Sequence, residues 1–211
     1  MTLPEVIGLF PLPNVVLFPR IALPLHVFEP RYRALVASAI RGPRLIGMAL
    51  LRGDWQATYY ARPEVFPTGT VGEIVHTEEL EDGRYNIVLR GLREFEIVEE
   101  LPARALFREV RVRWRADPEE LRAGLREAVI DRVGRYLVRL GHAVPPEHLR
   151  NDVGGEALVN FFAQHLDLDP LEKQALLEER TTQGRAERLI DVLEFRLQAL
   201  AGPAGRQARP Q

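Results

Sequence analysis

The first thirty residues combine long apolar runs with closely spaced prolines. The stretch "LFPLPNVVLFPRIALPLHVFEPRY", residues 9–32, carries prolines at positions 11, 13, 19, 24 and 30. Each proline fixes φ, removes a backbone N–H and pushes the residue before it toward extended geometry. Within a sheet, proline is tolerated at edges, strand starts and bulges. The pattern therefore predicts short, bent extended segments over residues 6–28, typical of a small irregular barrel.

The hydrophobic period then changes from that of a strand to that of a helix. In "EPRYRALVASAIRG" the apolar side chains recur at positions 32, 35, 36, 39 and 40, which form one helical stripe. Pro30 suits a first turn and Gly42 suits a C-terminal cap, so a helix is predicted between them. The apolar segment 44–52 that follows predicts a buried strand with a turn at Gly53-Asp54.

Residues 69–100 carry the clearest strand pattern, interrupted by Glu81-Asp82-Gly83-Arg84. Because Asp-Gly readily supplies the positive φ of a tight turn, this segment predicts a β-hairpin. A further strand is predicted over 107–115, where side chains alternate between two faces. One face carries Val110, Val112 and Trp114, and the other carries Arg111, Arg113 and Arg115.

Beyond Asp117 the period is helical throughout. Asp117-Pro118, with a carboxylate at Glu120, predicts a helix start, and the apolar stripe runs to about residue 140. Further helices are predicted over 155–166, from Asp169-Pro170 onward, and over 183–200. The predicted organisation is α+β: a β-rich subdomain at 1–116, a helical subdomain at 117–201, and a disordered tail at 202–211, which is polar and rich in Gly and Pro.

The composition of the chain says little about its fold, but it limits the kinds of chemistry and of binding partner that are available to it. The 211 residues carry a formal net charge of −2, which gives no global attraction to nucleic acid or to anionic membranes. There is no cysteine, and the chain has a single serine, Ser38, and a single lysine, Lys173, so covalent nucleophiles are scarce. Because neither a signal peptide nor an eighteen-residue apolar run is present, we expect a cytoplasmic protein.

Several spaced motifs resemble the N-terminal, substrate-binding region of Lon proteases. The first is "PLPNVVLFP…LPLHVFEPRY", followed by "GTVGEI" and by "RYNIVLRGLREFEI". Further along, "ALVNFFAQHLDLDPLEKQALLEERTTQGRAERLIDVL" resembles the helical part that ends that region. The resemblance covers about residues 7–197 and keeps the order of its elements.

This resemblance implies a six-stranded, PUA-like pseudobarrel followed by a helical bundle. It also implies a polypeptide-recognition module that binds unfolded or specific protein clients, or that acts as an adaptor to an ATP-dependent protease or another machine. We expect a stand-alone, non-enzymatic form without cofactor, because the sequence has no G-x-x-x-x-G-K-[ST] phosphate loop and nothing resembling the Ser–Lys peptidase. Ser38 and Lys173 both fall within predicted helices of the substrate-binding-like region.

The predicted recognition element is the connection 54–68, which is long and aromatic for a loop. Its candidate polypeptide-binding residues are Trp55, Tyr59, Tyr60 and Phe66. The alternative is that these rings fold back onto the barrel. A second set of apolar residues could also line a polypeptide-binding groove, although most of them are expected in the core: Phe10, Leu12, Phe18, Phe28 and Tyr32.

The alternative function is RNA or nucleotide binding by a PUA-like module. Arg111, Arg113 and Arg115 would present three guanidinium groups on one strand face, suited to phosphates or to an acidic peptide. No aromatic residue interleaves with them to stack bases, and edge strands carry charge simply to prevent aggregation. The five histidines show no metal-ligand spacing, and the adjacent carboxylate pairs lack the distinct environments that catalysis requires, so neither a metal site nor a hydrolase is predicted.

Overall fold

The structure is a computed structural model that describes residues 3–143 and 153–201. Within these ranges the chain forms six strands and five α-helices. The strands are β1 (Val6–Leu12), β2 (Ala22–Val27), β3 (Leu45–Leu50), β4 (Thr68–Glu79), β5 (Tyr85–Glu100) and β6 (Arg108–Trp114). The helices are α1 (Pro30–Arg41), α2 (Ala123–Arg139), α3 (Gly155–His165), α4 (Pro170–Glu178) and α5 (Thr182–Ala201). The α+β class is thereby confirmed, while the predicted tail at 202–211 lies outside the described residues.

The strands form one mixed sheet in the order β2-β5-β4-β3-β1-β6. The β1–β3 pair is parallel and the remaining pairs are antiparallel. Because β5 also pairs with β6, the pairings of β5, β4, β3, β1 and β6 form a closed circuit, with β2 attached outside it. A core of inward-facing side chains lies within this sheet: Ile7, Leu9, Leu45, Ala49, Val71, Phe95, Val110 and Val112.

Pro11 and Pro24 lie in the sheet at positions where a missing backbone N–H removes few ladder hydrogen bonds. Pro24 is inside β2, which stands at one end of the pairing order. Pro11 lies in β1 beyond Leu9, the last residue of β1 that pairs with β6, so it has a ladder partner on β3 alone. The apolar run 14–18 is not a strand, although Val16, Leu17 and Phe18 are buried. The closed circuit thus includes β1 but not β2, and the connection between these two strands supplies core side chains.

Two local predictions are confirmed closely. Helix α1 begins with Pro30 in its first turn and ends at the cap Gly42. The β4–β5 hairpin turns at the predicted Asp-Gly, and Gly83 has a φ of +76°, a conformation that glycine adopts without strain. Both elements are determined by a few neighbouring residues, so they follow from the sequence.

Helix α4 belongs with the sheet. Grouped by internal contacts, residues 3–116 and Asp167–Glu178 form one unit, and the remaining described residues form a second. Arg115 donates to the Leu177 and Glu178 carbonyls at the end of α4 (2.9 and 3.1 Å) and to Thr68 Oγ1 (3.2 Å). The buried Gln174 side chain donates to the Thr68 carbonyl at 3.1 Å. Residues 167–178 therefore interrupt the continuous helical segment that the sequence suggests for 117–201.

The second unit is helical. Helix α2 packs along α5, and α3 also contacts α5. Val129, Val133, Leu158, Leu189 and Leu193 are each fully buried there. Arg185 is also buried, and its guanidinium donates to Asn160 Oδ1 at 2.6 Å. A polar pair thus lies inside an otherwise apolar interior, where the hydrogen bond offsets part of the cost of burying charge.

The predicted start of α2 is wrong. The helix begins at Ala123 rather than near Asp117, and Arg122 still has an extended backbone (φ −58°, ψ 137°). The Gln183 side chain donates to the Glu120 carbonyl at 2.6 Å and accepts from the Arg122 amide at 3.4 Å. These bonds satisfy the backbone that an earlier helix start would have used, so a distant side chain overrides the local capping signal.

Among the described helices, none is both long enough and apolar enough to cross a bilayer.

Candidate recognition cleft

Backbone hydrogen bonds join the two ends of the aromatic connection between β3 and β4, and we call this junction of residues 50–52 and 64–66 its pinched base. The Arg52 amide donates to the Glu64 carbonyl at 2.8 Å, and the Phe66 amide donates to the Leu50 carbonyl at 2.9 Å. An isolated bridge joins Leu51 to Val65 between these bonds. The residues beyond the pinch include a short 3₁₀ turn, Gln56–Thr58. The connection is therefore a closed, locally folded excursion from the sheet.

Three of its aromatic rings form one cluster. Trp55 and Tyr59 have ring centroids 5.8 Å apart, and Tyr59 and Tyr60 meet edge to face at 5.1 Å. The guanidinium of Arg31, from the first turn of α1, lies 4.8 Å from the centre of the Tyr59 ring. Edge-to-face rings and a cation over a ring each add a small attraction beyond burial.

Hydrogen bonds fix this cluster to the start of α1. The Tyr59 hydroxyl donates to Glu29 Oε1 at 2.7 Å, and Arg31 Nη1 donates to the Tyr59 carbonyl at 3.0 Å. Arg31 Nε also donates to Glu29 Oε2 at 3.0 Å, which closes a triangle of three residues. Burial, reinforced by the hydrogen bond to Glu29, raises the pKa of the Tyr59 hydroxyl. The cluster is therefore held in one arrangement with a neutral phenol.

The four predicted recognition residues do not share one environment. Tyr60 is 88% exposed, while Trp55 and Tyr59 are half-buried. Phe66 is also half-buried, but it lies at the pinched base, with the Arg52 guanidinium 5.9 Å from its ring centre. The structure thus brings Trp55, Tyr59 and Tyr60 together and leaves Phe66 outside their cluster. Of the second apolar set, Phe10, Phe18 and Tyr32 are buried, whereas Phe28 is 60% exposed.

A cleft of about 160 Å³ opens beside the cluster. Its walls come from β1, the start of α1, the aromatic connection and the β5–β6 connection. The lining residues are Leu9, Pro11, Arg31, Tyr32, Tyr60, Ala61, Arg62, Ala103, Ala105, Leu106, Phe107 and Arg108. Leu106 is 75% exposed at this cleft. A larger and more open depression of about 370 Å³ lies along α1, but small and charged side chains line most of it.

Tyr32, which lines the floor of the cleft, is buried and packed against the buried Phe10. Phe10 and Tyr32 stack with centroids 4.1 Å apart, and the Tyr32 hydroxyl donates to the Pro11 carbonyl at 3.1 Å. Burial is the main cause that raises the pKa of Tyr32 above its usual value. A neutral phenol whose hydrogen bond is already made leaves the floor without an unsatisfied polar group.

The wall built by Leu106 and Phe107 does not follow from the sequence, and neither does the place of Arg62 in the cleft. The segment "LPARALF" contains only seven residues and reads as an ordinary connection between strands. The apolar pair at its end, directly before an alternating strand, was the available signal. It could not reveal the cleft, because the opposite wall comes from residues more than forty positions earlier in the chain.

The arginine row formed by Arg111 and Arg113 in β6 and by Arg115 directly after it is paired within its own unit. Arg111 Nε donates to Glu99 at 2.8 Å and lies 3.6 Å from Glu5, and Arg113 donates to Glu96 at 2.6 Å. Arg115 is only 11% exposed and is occupied with the end of α4, besides lying 3.6 Å from Glu94. The three predicted guanidinium groups therefore face carboxylates or carbonyls of the same unit.

Metal chemistry gains no support from the side chains. Within residues 3–143 and 153–201, no group of three or more His, Asp or Glu side chains is arranged to hold an ion.

Solved structures resemble this chain over most of its length. The Lon N-terminal domain protein from Xanthomonas campestris has a TM-score of 0.65 and 25% identity, and it covers 88% of this chain and 97% of its own. The N-terminal domain of the Mycobacterium avium complex Lon protease has a TM-score of 0.67 and 16% identity, covering 90% and 98% respectively. The fold is therefore that of Lon N-terminal domains.

Sequence comparison leads to the same family. Residues 6–194 match the profile of the ATP-dependent protease La (LON) substrate-binding domain, and the chain belongs to that family. The Lon protease of Parabacteroides distasonis is 28% identical over 196 residues, and that of Cytophaga hutchinsonii is 25% identical over 206 residues. These matches cover 90% and 93% of this chain but 24% and 25% of the relatives, so the chain spans about a quarter of their length.

Proposed function

We propose that this protein is a polypeptide-recognition module that binds exposed apolar segments of client proteins in the cleft beside Tyr60. The observation that supports this most directly is the pair Tyr60 and Leu106, which are 88% and 75% exposed and line one cleft. Family membership agrees with it, because the family is described as a substrate-binding domain.

Exposed apolar surface at Tyr60 and Leu106 lies next to the buried Tyr32 in this cleft. Burying apolar surface releases about 25 cal/mol for each Å², so covering a tyrosine ring and a leucine side chain favours binding substantially. Since the Tyr59–Glu29–Arg31 triangle already fixes the neighbouring ring, little conformational entropy is lost when a client covers the cluster. Tyr60 itself remains on the surface of that fixed cluster.

The partner classes follow from this role. The clients are unfolded or partly unfolded polypeptides, and the chain delivers or presents them to an ATP-dependent protease or a related machine. The role is binding rather than catalysis, in keeping with a match to the substrate-binding part of its relatives.

The RNA alternative receives less support. Arg111 and Arg113 form short ion pairs, and Arg115 is largely enclosed by α4 and the sheet. A phosphate would have to compete with carboxylates that are already in contact with these groups. The three arginines are therefore already engaged in contacts within the sheet unit, and binding a phosphate would require these contacts to rearrange.

The test compares two cleft variants with a matched exposed aromatic elsewhere. A fluorescein-labelled, permanently unfolded polypeptide of near-zero net charge should bind the wild type saturably and with little salt dependence. Tyr60→Ala and Leu106→Ala should each weaken binding by about five- to tenfold, the cost of removing an exposed anchor. Phe28→Ala removes a comparably exposed ring outside the cleft lining and should change binding less than twofold.

Two results would contradict the proposal: no saturable binding by the wild type, or equal losses in all three variants. A parallel titration with a uridine oligonucleotide tests the alternative. Strong, salt-sensitive RNA binding without polypeptide binding would instead support RNA binding by Arg111, Arg113 and Arg115 as the function.

A further inference from the structure

We infer that the cleft selects apolar segments that carry a neighbouring carboxylate, and that Arg62 is the residue that receives it. This inference rests on the proposed function and specifies the chemistry of its clients. It comes from the balance of charge around the cleft, which the apolar lining alone does not reveal.

The cleft is lined by cations without lining anions. Of the described residues that line it, the ionisable acids and bases other than tyrosine are Arg31, Arg62 and Arg108, and none is Asp or Glu. The carboxylates that contact these arginines, Glu29 and Glu100, lie behind them. Three guanidinium groups thus face two carboxylates, which leaves a surplus of one positive charge at an apolar site.

Two of the three arginines, Arg108 and Arg31, are held in the walls of the cleft by several hydrogen bonds each. Arg108 donates from Nε and Nη2 to both oxygens of Glu100 (2.9 and 2.7 Å) and from Nη1 to the Pro63 carbonyl (2.9 Å). Its side chain is only 11% exposed. Arg31 is held in the triangle with Glu29 and Tyr59 described above. Breaking either set would expose buried groups, so these arginines stay in place.

Arg62 carries the surplus charge. Its Nη1 lies 3.3 Å from Glu100 Oε1, an oxygen that Arg108 already contacts at 2.9 Å, and 3.5 Å from the Leu101 carbonyl. Both contacts are long for hydrogen bonds, and the side chain is 44% exposed. Exposed pairs of this kind contribute little stability, so Arg62 can turn toward an incoming carboxylate at small cost.

The size of the cleft limits what accompanies that carboxylate. A cavity of about 150 Å³ lined by apolar side chains is known to accommodate a benzene ring. The cleft, at about 160 Å³, therefore holds one aromatic or branched aliphatic side chain, with Arg62 at its rim. A segment with Asp or Glu beside a Phe or Leu satisfies both features, whereas a polyanion without apolar groups satisfies only one.

The experiment uses three labelled peptides of equal length that share the same Phe and Leu positions. Their flanking residues are Asp in the first peptide, Asn in the second and Lys in the third. At low salt the wild type should bind the Asp peptide about fivefold more tightly than the Asn peptide, and the Lys peptide most weakly. The preference should shrink at 0.5 M salt, because a rim charge is screened while apolar contact is not.

The matched variants are Arg62→Gln and Arg113→Gln. Arg62→Gln should bind the three peptides equally and keep the Asn peptide within twofold of wild type. Arg113→Gln also removes an exposed, ion-paired arginine, but from β6, and should keep the preference. Arg62→Glu should reverse the preference toward the Lys peptide. That reversal would show that the site remains folded in the variant.

The Asn peptide separates the two proposals. Binding of all three peptides with equal affinity by the wild type, or an unchanged preference in Arg62→Gln, would overturn the inference and leave polypeptide recognition standing. Failure of the wild type to bind any peptide, including Asn, would overturn both. A loss of preference in Arg113→Gln would assign the effect to overall charge and also overturn the inference.

Discussion

The arginine row (Arg111, Arg113 and Arg115) and the cleft arginines (Arg31, Arg62 and Arg108) belong to one unit but balance their charges differently. In the described part of the chain, Arg111, Arg113 and Arg115 contact four carboxylates, Glu5, Glu94, Glu96 and Glu99. The three cleft arginines contact two, Glu29 and Glu100. A row of like charges in the sequence is therefore not a site by itself. What matters is whether cross-strand partners already neutralise it.

The two regions also differ in what their arginines hold together. Arg115 fastens α4 to the sheet through two helix-terminal carbonyls, and Arg31 fixes an aromatic cluster in which Tyr60 remains exposed to solvent. The first arrangement is closed by its own chain, whereas the second leaves Tyr60 and Leu106 uncovered. We therefore expect substitution of Arg115 to act on stability and substitution of Tyr60 or Leu106 to act on binding.

The largest expected effect is on stability, at Arg115. Arg115→Ala should lower the free energy of unfolding by about 3 kcal/mol, because it removes the donor to the part-buried Leu177 carbonyl and the cation beside the largely enclosed Glu94 carboxylate. Urea unfolding measures the loss, and hydrogen exchange should show α4 less protected than the sheet. Arg115→Lys should recover little, since one ammonium cannot reach both carbonyls and Thr68 together.

Arg113→Ala provides the control for that experiment, because Arg113 is 73% exposed and lies two residues away in the same row. Its unfolding free energy should change by less than about 0.5 kcal/mol. Equal losses in the two variants would contradict the distinction between a fastening arginine and a surface arginine.

The next effect is a pH dependence at the floor of the cleft. Tyr32→Phe should cost about 1 kcal/mol at neutral pH, through loss of the hydrogen bond to the Pro11 carbonyl. Because burial raises the pKa of Tyr32, the folded state holds this proton more tightly than the unfolded chain does. The stability that the phenol contributes is complete below the unfolded pKa of about 10 and is lost as pH rises toward the folded value.

The stability difference between wild type and Tyr32→Phe should therefore shrink as the pH is raised above about 10. Urea unfolding of both proteins between pH 8 and 11 measures this difference directly. A difference that stays constant, or grows, over that range would show that Tyr32 is not held as a neutral group in the folded state.

The smallest effect tests the charge balance of the row itself. Glu5→Gln with Glu99→Gln removes both carboxylates that contact Arg111, at positions where the side chains are 80% and 53% exposed. Unfolding free energy should change by less than about 1 kcal/mol, while a uridine oligonucleotide should bind severalfold more tightly at low salt. Fluorescence anisotropy measures the gain; unchanged RNA affinity would mean that neutralisation by carboxylates is not what limits the row.

The candidate site was predictable in part. The aromatic composition of the connection indicated Trp55, Tyr59 and Tyr60, and the structure brings these three together. Leu106, Arg62 and Arg108 were not indicated, because their roles depend on the meeting of two connections distant in sequence. Phe66 looked equivalent to the other rings in sequence, but its place at the pinched base separates it from them.

Most of the local elements, and the family, could be read from the sequence. The Pro30 start of α1, the Gly83 turn, the alternation of β6 and the α+β order all depend on residues within a few positions of one another, where propensity and period act directly. Where α2 begins, how α4 comes to belong to the sheet unit, and which arginines keep surplus charge follow from tertiary contacts. These depend on contacts between residues roughly 40 to 65 positions apart, such as Gln183 with Glu120 and Arg115 with Leu177, and such contacts leave no period in the sequence.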